Sequence, residues 1–315
     1  MVTRKPPMVL LTAYNGAAYL PMQLASLRAQ TLPFTALLRD DGSTDESPAL
    51  LNAQCASDAR FRLSTSSGKH LGVVGGFLAL MREAAEVGTD VALCDQDDCW
   101  QSDKLARLQA ALCDAEARFG ADTPLLAHCD ARIVDSAGRV LHERLWHHQG
   151  WNPDAVTLPQ LLMQNNVTGC LLMMNAPLCR LCAAHMPESG LHMHDWFIAL
   201  TAAAFGRIVP VKDALADYRQ HGDNAMGASG GSLLSRSVSA LKAPSRVRAR
   251  IALSYRNAAQ FSAAYGDLLP SEAAATLDAL SVIPRMGKWR RIRALRQGGF
   301  TMQSLPAQAG LLIFG

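Results

Sequence analysis

Carboxylates gather where two apolar runs stop. Asp40-Asp41 follows Ala36-Leu37-Leu38, and Asp95-Gln96-Asp97-Asp98 follows Val91–Cys94. Carboxylates packed this closely repel, and each raises the pKa of the others. A divalent cation removes that cost, and all-oxygen ligands suit Mg²⁺ or Mn²⁺. A helix cap needs fewer acids. Asp45 and Asp103 stand where caps would, whereas three acids in the four residues 95–98 exceed that need. Asp195 is a single carboxylate at the start of a predicted helix, flanked by His194 and Trp196. A carboxylate there either complements the helix dipole or takes a proton from a substrate.

The elements that carry these residues alternate. Met8–Ala13 is an apolar run closed by the turn signal Tyr14-Asn15-Gly16. Ala18–Ala29 then places Leu20, Leu24 and Leu27 on one helical face. Ala36–Leu38, Phe61–Leu63 and Val91–Cys94 read as further strands; Ser47–Cys55, Val74–Val87 and Lys104–Phe119 read as helices. This β-α order predicts an α/β fold, a mostly parallel sheet covered by helices, with both acidic clusters at carboxyl ends of strands, where such sheets bind ligands. Beyond residue 120 the pattern mixes. Leu125–Cys129, Ala131–Val134, Thr168–Met174, Arg207–Val211 and Asp217–Gln220 read as strands, and Asp195–Phe205 as a helix. Gly222–Ser232 reads as a flexible linker, followed by Ala- and Leu-rich helical sequence over 233–280.

Taken in order, several motifs resemble the inverting family 2 glycosyltransferases of GT-A fold, and within them the bacterial rhamnosyltransferase-like enzymes. They are Thr12-Ala13-Tyr14-Asn15-Gly16, Asp40-Asp41-Gly42-Ser43, Asp95-Gln96-Asp97-Asp98-Cys99-Trp100 with Lys104-Leu105, Asn166-Val167-Thr168-Gly169-Cys170, His194-Asp195-Trp196 and Tyr218-Arg219-Gln220-His221. The resemblance implies a Rossmann-like mixed sheet flanked by helices. It implies a catalytic domain over 1–230, with a nucleotide-sugar half to about residue 120 and an acceptor half after it, and a helical basic extension over 231–315. The implied donor site uses Thr12, Ala13, Tyr14, Asn15, Asp40, Asp41, Asp95 and Arg219. Asp95, Asp97 and His221 are the implied contacts of Mg²⁺ or Mn²⁺, and Asp195 is the implied catalytic base. The implied reaction moves one sugar, L-rhamnose or another deoxyhexose, from a dTDP- or UDP-sugar to a glycan or lipid-linked oligosaccharide. Gly76 stands where related sequences often carry Asn, and the Q-x-x-R-W motif of processive relatives is absent. A nucleotidyltransferase of similar fold, a glycoside hydrolase working through two carboxylates and a non-catalytic sugar- or nucleotide-binding module are the rival readings. The first usually carries a Gly- and Arg-rich loop near strand one, which Thr12–Leu20 does not resemble.

Composition narrows the setting. Of 315 residues, 49% are hydrophobic and 18% charged, enough apolar material for a large core. The eight cysteines show no framework spacing, and Cys179-Arg-Leu-Cys182 has no second pair to make a zinc knuckle. Neither a secretory leader nor an apolar run of membrane-spanning length is evident, so a cytoplasmic protein is expected. The net charge of +3 hides an asymmetry: from Arg236 onward 12 basic residues face 3 acidic ones, while the preceding chain holds 18 against 24. By charge alone such a tail suits an anionic surface, lipid headgroups or nucleic acid, or is an ordinary solvated Arg-rich helix; the expected partner is the inner membrane face, with no nucleic acid. Trp146 and Trp151 are candidates either to stack on an acceptor sugar or to pack in the core.

Overall fold

The computed structural model describes residues 4–220 and 244–314. The strands are β1 (Met8–Ala13), β2 (Thr35–Asp40), β3 (Phe61–Leu63), β4 (Val91–Cys94), β5 (Cys99–Trp100), β6 (Leu125–Val134), β7 (Val140–His142), β8 (Leu172–Met174) and β9 (Arg207–Arg219). They form one mixed sheet in the order β3-β2-β1-β4-β8-β6-β9-β5, with β7 on β6. β3, β2, β1 and β4 run parallel, so the carboxyl ends of β1, β2 and β4 share one edge. β8 runs antiparallel between β4 and β6.

Side chains alternate along these strands and feed two cores. Val9, Leu11, Ala36, Leu38, Ala92 and Cys94 face one side. There they meet α1 (Leu20–Arg28), α2 (Ser47–Ser57) and α4 (Lys104–Phe119), through Leu20, Leu24, Leu27, Leu51, Leu105, Leu108 and Leu112. Met8, Leu10, Leu37, Val91 and Leu93 face the other side. The helices over that side include α3 (Gly72–Val87), α6 (Leu158–Met163), α7 (Ala176–His185) and α8 (His194–Phe205); the short α5 (Leu145–Gln149) packs on β6. A strand buried on both faces reads as a continuous apolar run, which is why β1 and β4 carry no polar alternation.

The C-terminal helices are α9 (Pro244–Tyr265), α10 (Ser271–Val282), α11 (Lys288–Gln297) and α12 (Leu305–Phe314). They add a layer to the second core: Phe261, Leu277, Leu280, Leu295, Phe300 and Leu311 are buried in the same cluster as Leu10, Phe77 and Trp196. The expected extension therefore shares the core of the body. Two expected features change form. Thr168–Met174 becomes a 3-10 turn, Gly169–Leu171, followed by β8. The two strands expected over 207–220 are a single strand, β9, whose pairing with β6 slips in register near Asp130. Cys179 and Cys182 are buried on α7 as core thiols, so the C-x-x-C spacing is helical packing. The expected linker Gly222–Ser232 lies outside the described residues.

Candidate active site

The acidic segment 95–98 turns between β4 and β5 at the carboxyl edge of the sheet. Asp98 is buried; its Oδ1 accepts from the Arg219 amide at 3.2 Å, and its Oδ2 has no hydrogen-bond partner. Burial first, and then Asp97, pushes the Asp98 carboxyl up to about 6. Burial and then the Asp98 and Asp97 charges also raise Asp95 well above the usual carboxylate range. Among the described residues, ligand atoms of Asp95, Asp98 and Cys170 lie within 4.8 Å of one another. An orphaned buried carboxylate oxygen beside mutually repelling acids fits a hard divalent cation. Asp97 is partly exposed beside this group, and His221 lies outside the described residues.

Two basic residues support the turn from behind. Lys104 is fully buried; its Nζ donates to the Cys170 carbonyl at 2.6 Å and sits 3.6 Å from the centre of the Trp100 ring. Its charge offsets part of the strain on Asp98. Arg219, part of the implied donor site, has a buried guanidinium that donates to the carbonyls of Asp97 (2.9 Å), Asp135 (3.1 Å) and Ser136 (3.0 Å). Enclosed by these acceptors, it braces the acidic turn.

The β1 and β2 ends form the neighbouring wall. Thr12 is partly exposed and Ala13 is buried. The Gln96 side chain accepts from the Tyr14 amide at 2.8 Å and donates to the Tyr14 carbonyl at 3.1 Å, tying this wall to the acidic turn. Asn15 adopts a left-handed φ of 47°, and its Oδ1 accepts from Thr44 N at 2.8 Å. Asp40 accepts from the amides of Gly42 (3.0 Å) and Ser43 (3.1 Å), so it shapes its own turn. Asp41, also in the implied donor site, is buried and accepts from the Arg39 guanidinium, from Leu71 N at 2.7 Å and from Gly72 N at 2.9 Å. Tyr14 and His70 are exposed at this rim, and their ring centres are 4.7 Å apart.

Arg39 passes under α3, where a Cβ on Gly76 would come within 3.0 Å of Thr12 Oγ1 and 3.2 Å of Arg39 Nη1. Glycine at 76 thus makes room for the Arg39–Asp41 pair. Breaking a buried pair strands the remaining charge, so Arg39→Met should destabilise the fold by about 3–5 kcal/mol. Urea unfolding should show a lower midpoint at unchanged slope; a loss under about 1 kcal/mol, the range of an exposed pair, would show that Asp41 does not depend on Arg39.

Asp195 stands in the first turn of α8, partly exposed. Its Oδ1 accepts from Asn165 Nδ2 and its Oδ2 from Gly169 N, both at 3.2 Å. Burial pushes its carboxyl up to about 7, against the lowering effect of the Trp196 and Gly169 amides. Its charge is felt at Asp95, which places it by the acidic turn. The next residue anchors the helix: Trp196 Nε1 donates to the Leu161 carbonyl at 2.7 Å. Gly169 is required by close approach, since a Cβ there would lie 2.8 Å from His194 Nε2. His194 itself is buried against Phe77, and burial pushes its pKa down to about 3, which leaves it neutral. Trp146 is also buried, packed beside His128 at 5.1 Å, and takes the core role of its two readings. Sequence reasoning missed Asn165, His70 and the support from Lys104 and Cys170. For Asn165 the one available signal was its place just before the Asn166–Cys170 motif.

A mixed sheet with this strand order and an acidic turn at its carboxyl edge defines a nucleotide-sugar transferase architecture. Residues 8–169 match the family described as Glycosyl transferase family 2, and the chain belongs to that family. It is 26% identical over 222 residues to the uncharacterized glycosyltransferase alr2836 of Nostoc sp., a match covering 69% of this chain. The chain spans 65% of that relative's length. Among solved structures it resembles S. aureus TarS 1-349 in complex with UDP-GlcNAc, with a TM-score of 0.55 at 15% identity, over 98% of this chain and 89% of that one. It also resembles the mannosyltransferase PcManGT from Pyrobaculum calidifontis in complex with GDP-Man and Mn²⁺, with a TM-score of 0.54 at 16% identity, over 99% and 80% of the two chains. These likenesses establish the GT-A fold.

Proposed function

We propose that this protein is an inverting glycosyltransferase that moves one sugar from a nucleotide diphospho-sugar to an acceptor hydroxyl. The observation that carries the reading is Asp195. It is a carboxylate in the first turn of α8, held by Asn165 and the Gly169 amide beside the acidic turn, and burial raises it toward the range of a general base at neutral pH. Asp195 takes the acceptor hydroxyl's proton as that oxygen attacks the sugar's anomeric carbon. The bond from that carbon to the diphosphate oxygen breaks on the opposite face, and the nucleoside diphosphate leaves with the bonding electrons. Asn165 and the Gly169 amide hold Asp195 in place; the Trp196–Leu161 bond fixes the helix that bears it.

Asp95 and Asp97, with His221, would hold Mg²⁺ or Mn²⁺, and Asp98, through its unpartnered Oδ2, would share that work. Once bound, the cation would stabilise charge on the leaving diphosphate. The nucleotide base lies along Thr12-Ala13-Tyr14-Asn15, and the exposed Tyr14–His70 pair offers it a stacking surface. Asp40, Asp41 and Arg219 act on the donor indirectly, by fixing the loops around it. The donor proposed is dTDP-L-rhamnose, or another deoxyhexose on dTDP or UDP. The acceptor is a glycan or lipid-linked oligosaccharide of surface polysaccharide (O-antigen or capsule) synthesis, met at the cytoplasmic face of the membrane. Support for the donor comes from the motif resemblance.

Assay of nucleoside diphosphate release across a set of nucleotide sugars tests this reading. The expected result is release from dTDP-rhamnose with Mg²⁺ or Mn²⁺, stimulated by an acceptor. Release only from UDP- or GDP-hexoses would keep the reaction class and overturn the sugar. Pyrophosphate production from nucleoside triphosphate and sugar phosphate would instead favour a nucleotidyltransferase.

A further inference from the structure

The C-terminal helices carry a surface that the proposed reaction does not use. Between residues 285 and 296 stand Arg285, Lys288, Arg290, Arg291, Arg293 and Arg296, and no Asp or Glu follows Asp278. Folding divides this run. Leu295, Phe300 and Leu311, which from sequence alone could serve an interface, are buried in the main core. Arg291 Nη2 donates to the Ile313 carbonyl at 3.1 Å, which clamps α11 to α12. Trp289, 79% exposed, stands outward with Arg293 and Arg296 four and seven positions on, along the same helical face, and Arg285, Lys288 and Arg290 are exposed around them. Between α11 and α12 these three residues, with Ile292, Gln297 and Leu312, line a groove of about 470 Å³. Its walls combine apolar side chains with two exposed guanidinium groups.

We propose that this groove and the cationic face around it dock the protein on an anionic lipid bilayer. Arg293 and Arg296 would meet lipid phosphates, and Trp289 would enter the headgroup boundary beside the acyl chains. Two features favour a membrane over a nucleic acid. The exposed indole and apolar groove have no use on a phosphate backbone, and an indole beside arginines suits a lipid interface, apolar on one side and wet on the other. No helix among the described residues is long and apolar enough to cross a membrane, so the contact is peripheral. The docking surface does not depend on which sugar is transferred, and its test does not read catalysis.

The test is co-sedimentation of the full chain with phosphatidylcholine vesicles, with and without phosphatidylglycerol. Truncation at residue 285 is unsuitable because it removes core side chains, so point variants of exposed residues are used. Wild type should pellet only with anionic vesicles, less so as salt rises. Arg293→Gln with Arg296→Gln should weaken that binding on the order of 25-fold at low salt, about fivefold per charge. Trp289→Ala should weaken it on the order of tenfold, a loss that persists at high salt. Thermal midpoints of both variants should stay at the wild-type value, since the substituted side chains are exposed. Equal pelleting with neutral and anionic vesicles would overturn the proposal, as would full binding by both variants. Tighter binding to duplex DNA than to anionic vesicles at the same salt would assign the surface to nucleic acid instead.

Discussion

Asp195→Asn is expected to lower kcat by roughly 10²–10⁴-fold, the scale of losing a general base, with nucleotide-sugar affinity unchanged. The amide has nearly the same volume and keeps an oxygen for the Gly169 amide, but it cannot take a proton. The pH profile should carry the same signature. Burial holds the Asp195 carboxyl near 7, so the basic form is lost as pH falls below that value. Wild-type kcat should therefore fall about tenfold per pH unit on the acid side and level off above it, while a cation on the neighbouring carboxylates moves the midpoint lower. The variant should lack that limb. A variant that bound nucleotide weakly yet kept its kcat would move Asp195 from the acceptor side to the donor side. An acid limb shared unchanged by wild type and Asp195→Asn would remove it as the base.

Asp97→Ala is expected to abolish metal-dependent turnover. Among the acids of the turn, Asp97 is partly exposed whereas Asp98 is buried against the Arg219 amide. Removing Asp97 also relieves repulsion on Asp95 and Asp98, so the fold should survive with an unchanged thermal midpoint. Asp98→Ala should behave differently. It vacates a buried position that holds Arg219 and should cost stability as well as activity. Normal turnover by Asp97→Ala at limiting Mn²⁺ would transfer the ligand role to Asp98.

The parallel half of the sheet was legible because β1, β2 and β4 are apolar runs ended by polar turns, and α1 and α4 repeat their leucines at helical spacing. The second half was less so. Lys212 and Asp213 are exposed within β9 and made one strand look like two. Helix α7 was not read from the sequence, although Leu178, Cys179, Cys182 and Ala183 lie at helical spacing on its one buried face. At the site, the residue types were legible but not which carboxylates stay accessible. Asp41 is consumed by Arg39, which reaches it only because Gly76 leaves room. Arg219 is enclosed by carbonyls from 97 and 135–136, a contact made by β9 crossing the acidic turn. Asn165 meets Asp195 across thirty positions of sequence, a proximity that only the packing of α6 on α8 creates.

The central claim is that the carboxyl edge of β1, β2 and β4 binds a nucleotide diphosphate through a divalent cation held by the acidic turn. Calorimetric titration of dTDP and UDP into the protein, with Mn²⁺ and with chelator, tests it most directly. Binding should be one-to-one, need Mn²⁺, be lost in Asp97→Ala and persist in Asp195→Asn. Equal affinity in chelator, or wild-type binding by Asp97→Ala, would contradict it.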